Sequence, residues 1–314
     1  MPYRFLILLA LYGLMSGVAA YAKTPSLAVV YPEVREPYRS VFQEIIRGME
    51  AELGRKVTRY VLNNPQDSAD NLLVQMKKDR IDTVVTLGRA GYAVAESLAK
   101  EFPVVVGAVL LTPGQNSANL SGISLAPDPE ILFARLKELV PAARDITVVY
   151  DPEQKTEEIS RASNAAQTRG MSLHALQADS LQRSAAIYQG VLREIKDDSA
   201  AIWLLQNNRA MDDRTLLPLV LEKAWDRRFV LFSDSLAHVR KGALFSLYPD
   251  NFGMGRRLAV LARNRSEGGT AHDATIEPLR SLLTAVNLRT AEHLGLRFSN
   301  DAVRKFGITF PPRQ

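Results

Sequence analysis

The sequence contains no cysteine. That excludes disulfide scaffolds, iron–sulfur clusters, thiolate zinc sites and cysteine nucleophiles. Aromatic residues are scarce at 7%, and the excess of 39 Lys and Arg over 34 Asp and Glu leaves a formal charge of only +5. Its basic clusters, Lys77-Lys78, Arg227-Arg228 and Arg256-Arg257, are short and interrupted by acids or apolar residues. Nucleic-acid binding calls for a concentrated basic stripe with aromatics for stacking, so none is expected. Catalytic signatures are missing too. There is no G-x-S-x-G elbow, no G-x-x-x-x-G-K-[ST] loop, no H-E-x-x-H and no G-x-G-x-x-G. Gly253-Met-Gly255 lacks the third glycine and falls within a predicted helix. None of His174, His238, His272 and His293 has a second histidine at metal-ligand spacing, so each reads as a surface or structural residue. No metal, cofactor or catalytic residue is expected. Asp212-Asp213 reads as a helix N-cap followed by a first-turn acid.

Long hydrophobic runs are absent after the first residues. Arg4 supplies a positive n-region, Phe5 to Met15 an apolar stretch, and Ala20-Tyr21-Ala22 small residues at a cleavage site. Residues 1–22 therefore read as a secretory signal cut after Ala22. The apolar run falls short of the ~20 residues that span a bilayer, and no cysteine follows it to carry a lipid. The expectation is an exported, periplasmic chain with no stable membrane insertion.

What the sequence does hold is a regular alternation. Its 314 residues are 46% hydrophobic, which fits two folded domains. Short apolar runs at 26–31, 57–62, 82–87 and 103–109 read as buried strands, and apolar residues at helical spacing lie between them. Residues 111–127 are rich in Gly, Pro, Asn and Ser and read as a connection between lobes, with a short strand around Ile123. Alternation resumes with helices at 129–139, 154–169, 182–196, 213–226 and 251–265, and strands at 146–150, 172–176, 201–205, 229–232, 243–247 and 282–287. The pattern is that of right-handed βαβ units, giving two similar α/β halves built on parallel sheets.

In open parallel sheets ligands bind beyond the carboxyl ends of the strands. The residues expected there include Tyr31, Glu33, Arg89, Thr112, Asp151, Asn207, Asn208, Arg209, Ser233, Asp234 and Tyr248. They are amides, hydroxyls, a few charges and two tyrosines, the groups that orient a small polar ligand by hydrogen bonds.

Four stretches, in order, carry a family resemblance. Phe102-Pro-Val-Val-Val-Gly-Ala-Val-Leu-Leu-Thr-Pro113 with Asn119-Leu-Ser-Gly-Ile-Ser124 resembles "IPVVF-x-x-V-x-D-P … N-x-T-G-x-S". Leu136-Lys-Glu-Leu-Val-Pro141 with Ile146-Thr-Val-Val-Tyr-Asp-Pro152 resembles "L-x-x-L-x-P … I-G-V-L-Y-N-P". Phe232-Ser-Asp234, Val239-Arg-Lys-Gly-Ala-Leu244 and Gly255-Arg-Arg-Leu-Ala259 are similar to "F-A-S-D-x-x-x-V-x-x-G-A-L … G-R-x-x-A". Val286-Asn-Leu-Arg-Thr-Ala-Glu-His-Leu-Gly-Leu296 resembles "I-N-L-x-x-A-x-x-L-G-I". Together they resemble ABC-transporter substrate-binding proteins of the tryptophan/phenylalanine-binding type, relatives of the periplasmic binding protein class I fold.

The resemblance implies two Rossmann-like lobes joined by a three-crossing hinge, with lobe 1 at 23–123 plus 248–283 and lobe 2 at 124–247 plus 284–314. It implies a monomeric, non-enzymatic protein that closes on a small-molecule ligand and presents it to an ABC permease. A periplasmic sensor subunit reporting to a signalling membrane protein is the alternative, and an exported α/β enzyme the remaining one. Departures bear on the ligand. Where aromatic-amino-acid binders carry D-N-T, this chain reads Gln206-Asn207-Asn208-Arg209. An ammonium would lose a charge-assisted bond worth about 1.5–3 kcal/mol there. The family's N-S pair corresponds to Thr156-Glu157, and its Thr-containing segment to Gly88-Arg89-Ala90. Arg89 and Arg209 suit a carboxylate or phosphate better than an ammonium, so an acidic or neutral polar ligand is expected.

Overall fold

Leu27 to Val30 are buried on both sides of strand β1 (Leu27–Pro32), as a strand covered by helices above and below requires. The structure, a computed structural model, describes residues 26–63, 69–111, 120–195, 199–205, 209–267 and 275–312. The expected signal segment 1–22, and with it Thr112, Asn207, Asn208 and His272, lie outside the described residues.

The first sheet takes β1, β2 (Thr58–Leu62), β3 (Thr83–Leu87), β4 (Val104–Val109), β5 (Ser121–Pro127) and β11 (Ile276–Leu279), in the order β11-β5-β4-β3-β1-β2. Every neighbouring pair is parallel. On one face Val29, Val85, Val105 and Ile123 meet α1 (Tyr38–Leu53) and α9 (Asn251–Ser266). On the other, Val30, Val84, Val104 and Val106 meet α2 (Ala69–Lys78) and α3 (Gly88–Leu98). Helices α1 and α9 approach backbone to backbone. A methyl on Gly255 would stand 1.9 Å from the Ile45 carbonyl oxygen, and one on Gly48 2.0 Å from that of Phe252.

The second sheet holds β6 (Asp145–Tyr150), β7 (Ser172–Gln177), β8 (Ala200–Leu204), β9 (Val230–Ser233), β10 (Phe245–Pro249), β12 (Leu282–Asn287) and β13 (Ile308–Phe310), in the order β13-β12-β10-β9-β8-β6-β7. Its core is aromatic. Phe133 on α4 (Pro129–Leu139) meets Trp203 edge-on at 5.5 Å, and Phe232 stacks on Phe245 at 5.4 Å. Two Asp-Pro pairs start helices here. Asp128 and Asp151 accept the Glu130 and Glu153 amides, with Pro129 and Pro152 in the first turn of α4 and of α5 (Pro152–Thr168). Proline is pre-organised at that position and its missing N–H costs nothing there. Covering the rest of the sheet are α6 (Leu181–Glu194), α7 (Leu216–Arg227), α8 (Leu236–Lys241), α10 (Leu288–His293) and α11 (Asn300–Lys305).

The chain passes between the sheets at three places: from β5 into α4, from β10 into α9, and from β11 into β12. The first two passages leave the carboxyl ends of β5 and β10, and the third links Leu279 to Leu282. They are tied together, Asp128 N–H donating to Leu279 O at 2.9 Å and Asp250 N–H to Ser281 O at 2.9 Å.

The sequence predicts the two α/β halves correctly, with one difference of direction. The second sheet is not wholly parallel, because β10 and β12 pair antiparallel. β10 leaves the sheet at the edge where β12 enters it, so the two must run opposite ways. The expected lobe limits at 123/124, 247/248 and 283/284 each fall inside a strand, namely β5, β10 and β12. The passages lie instead at strand ends, where no ladder of hydrogen bonds has to be divided. β11 (Ile-Glu-Pro-Leu) carries no apolar run to mark it as a strand, and its Pro278 is tolerated because β11 is an edge strand.

Candidate functional site

Because the chain crosses at the carboxyl ends of β5 and β10, the strand ends of both sheets open towards the same junction, where β5 touches β10. The expected site residues differ in what they do there.

In the first sheet, Tyr31 is half-buried, its ring 6.1 Å from that of Phe42 on α1, so it is partly a core residue. Glu33 is exposed, and its amide donates to Leu62 O at 3.0 Å, continuing the β1–β2 ladder. Arg89 is exposed in the first turn of α3, directly beyond β3, and has no hydrogen-bond or ion-pair partner among the described residues. Leu87, the residue before α3, offers the helix no side-chain cap.

In the second sheet, Asp151 is 2% exposed and caps α5. Arg209 lies 3.9 Å from Asp151 Oδ2 and 3.5 Å from Glu153 Oε2. Its charge is thus already answered by the protein, unlike that of Arg89. Tyr248 is half-buried and turned to the sheet's edge. A methyl on Gly307 would stand 2.1 Å from its hydroxyl oxygen. Burial, with Asp250 nearby, raises the Tyr248 pKa, so the phenol stays protonated.

Ser233, at the end of β9, is fully buried and is the hub of a network that no sequence pattern reveals. Its Oγ lies 2.8 Å from Leu204 O at the end of β8 and 2.7 Å from His238 Nδ1, and it accepts the Ser235 amide at 3.0 Å. His238 Nε2 lies 3.0 Å from Asp213 Oδ1, and Lys241 Nζ donates to Asp213 Oδ2 at 2.8 Å. Burial pushes the His238 pKa below the ordinary histidine value, opposed by Asp213. Lys241 first, then His238, holds the Asp213 carboxyl below the usual aspartate range. The Ser–His–Asp order invites comparison with a hydrolytic triad. Ser233 has no exposed surface for attack, and its oxygen already accepts an amide.

Asp212 is therefore not the N-cap of α7, a place Thr215 takes, and Asp213 is not its first-turn acid. α7 begins at Leu216, and Asp212 accepts the Thr215 amide at 2.6 Å while Asp213 turns to His238. His238, expected as a surface or structural residue, is buried. His293 stacks on Trp225 at 3.7 Å, and exposed His174 lies 3.5 Å from Asp145. No group of three or more potential metal ligands gathers among the described residues. A cavity of about 90 Å³, lined by residues including Leu27, Thr83 and Arg263, lies at the opposite, amino end of the first sheet.

A family model described as ABC transporter substrate binding protein matches residues 39–306. No curated protein matches. Among solved structures, the ligand-free, open form of a substrate binding protein with adhesive properties from Clostridium difficile is 14% identical. It covers 90% of this chain and 98% of that one, with a TM-score of 0.61, and at that identity the likeness shows the fold. An ABC domain from Streptococcus pneumonia in complex with L-Trp is 17% identical over 91% of this chain and 100% of that one, with a TM-score of 0.49. A conserved domain protein from Vibrio cholerae is 18% identical over the same shares, with a TM-score of 0.48.

Proposed function

This chain belongs to the ABC transporter substrate-binding protein family, and from that premise we propose that it captures a small polar solute outside the cytosol and hands it to an ABC importer. The solute sits between the facing strand ends of the two sheets. One lobe is the first sheet with α1–α3 and α9, the other the second sheet with the remaining helices, and the three passages form the hinge. Contacts from both lobes exist only in the closed state, so solute shifts the population towards closure, and closure is what the membrane partner reads.

The observation that supports this reading most directly is the convergence of the three passages at the strand ends that carry Arg89, Asp151, Ser233 and Asp234. Arg89, a guanidinium without a partner among the described residues, favours an acidic or neutral polar solute over one that brings a bare ammonium. A thermal-shift screen of the full chain against amino acids and small organic acids tests it. A solute at a hundred times its Kd adds about 2.7 kcal/mol of stability. Isothermal titration then measures affinity. A library that leaves the melting temperature unmoved overturns the solute-binding reading, and tight binding of tryptophan or phenylalanine overturns the ligand class.

A further inference from the structure

We propose that His238 is a proton-operated positioning residue: its charge selects whether the Ser233 hydroxyl serves the imidazole or the end of β8, and so sets two loops at the solute-facing edge.

A carbonyl oxygen only accepts, so the 2.8 Å contact between Ser233 Oγ and Leu204 O needs the single Ser233 hydroxyl hydrogen. Ionised Asp213 only accepts, so the 3.0 Å contact to His238 Nε2 needs a proton on that nitrogen. One contact remains, the 2.7 Å approach of Ser233 Oγ to Nδ1. With a neutral ring Nδ1 is bare, and the one hydroxyl hydrogen must choose between it and Leu204 O. With an imidazolium, Nδ1–H donates to Ser233 Oγ, which is freed to donate to Leu204 O, and every contact is filled at once. Filling all of these contacts at once therefore takes one proton more than a neutral imidazole supplies.

Burial, the largest influence on the ring, holds its pKa below the ordinary histidine value, so the proton arrives on acidification. Asp213, from the loop between β8 and α7, faces the ring and favours the charge; Lys241, three residues further along α8, opposes it but is itself paired to Asp213. Arg240, also on α8, turns to the Phe310 ring at 5.7 Å. β9, β10 and β12, which pack against α8, bring Ser233, Ser246 and Asn287, none of them charged. Histidine is the side chain whose unperturbed charge change falls between about pH 5 and 8.

The connection to function is positional. Asp213 stands four residues after Arg209, and Ser233 adjoins Asp234, so the chain Asp213–His238–Ser233–Leu204 joins the loop after β8 to the loop after β9. The proposal rests on the reading of these strand ends as the solute-facing edge. Its test uses no solute, so either can fail while the other stands.

The experiment is side-chain ¹⁵N NMR of His238 in the full chain across about pH 5 to 8, alongside backbone amide exchange at Ser235 and Arg209–Thr215, corrected for the intrinsic pH dependence of exchange. As Nδ1 gains its proton, exchange at these amides slows by about threefold to tenfold, the effect of one net hydrogen bond. His238→Gln abolishes the pH response of both loops. Asp213→Asn, a change at a half-exposed position, keeps the response but moves it to lower pH, and serves if His238→Gln does not fold. A ring that titrates while the loops do not respond overturns the proposal. So does a ring that stays neutral throughout, or a loop response that survives in His238→Gln.

Discussion

Arg280 Nη1 lies 2.5 Å from Asp128 Oδ2, so the third passage of the chain between the sheets is ionically tied to the first. The same guanidinium reaches Glu130 Oε2 at 3.3 Å. Asp128 is the buried partner and also the N-cap of α4. If the three passages form the hinge proposed above, a clamp at this place holds their ends together while the lobes swing about them.

Arg280→Ala is expected to cost about 1 kcal/mol, since Arg280 is largely exposed and exposed pairs are worth little, while Asp128 keeps its amide donor. Urea unfolding measures this. The clamp account also expects a wider spread of lobe openings in small-angle scattering. A loss above about 3 kcal/mol, in the range of a broken buried pair, would mean that the hinge is a rigid core element.

A paired glycine experiment tests the packing of α1 on α9. Gly255→Ala puts a methyl 1.9 Å from the Ile45 carbonyl oxygen, and backbone cannot give way as a side chain can. The expected loss is about 1–3 kcal/mol or more. Gly190→Ala, in α6, meets no atom within 4 Å. It should stabilise the protein by about 0.5–1 kcal/mol through helix propensity alone. Equal effects at the two positions would refute the close approach of the helices.

His238 gives stability a pH dependence of definite sign. Burial sets its folded pKa below the unfolded value of about 6.5, so the unfolded chain takes up the proton first. Stability is full above about pH 6.5, falls as pH drops below it, and levels off below the folded value. The buried carboxylate Glu50 and the exposed Asp212, whose pKa values are also lowered, act only at more acidic pH. Urea unfolding of wild type and His238→Gln between about pH 5 and 8 should show the slope in the first and its loss in the second. A wild type that gains stability on acidification contradicts the sign.

Much of this was legible in the sequence, and the rest was hidden for physical reasons. β1 and β4 announce themselves because strands buried on both faces need unbroken apolar runs, and the Asp-Pro pairs at 128–129 and 151–152 mark helix starts by local hydrogen bonding. Local signals end there. Asp213 and His238 are 25 residues apart and meet only because β8 and β9 are neighbours in the sheet, a fact of strand order that no residue pattern records. That Asp151 and Glu153 stand beside Arg209 is likewise invisible in the sequence. So is the packing of Tyr248 against Gly307, far along the chain.

Arg89 separates binding from folding most sharply. A cation in the first turn of an 11-residue helix sits at the positive end of the helix dipole, where it is disfavoured by about 0.3–1 kcal/mol. Among the described residues it gains no ion pair in return. Arg89→Ala is therefore expected to leave stability unchanged or to raise it by a few tenths of a kcal/mol. If Arg89 holds an acidic solute, the same change weakens binding by about tenfold to a hundredfold, the worth of a charge-assisted hydrogen bond. Arg209→Ala should weaken it less, because that guanidinium already answers Asp151 and Glu153. Thermal melts and isothermal titration on the two variants decide the matter. An Arg89→Ala protein that binds its solute with undiminished affinity would place the ligand's charge elsewhere in the cleft.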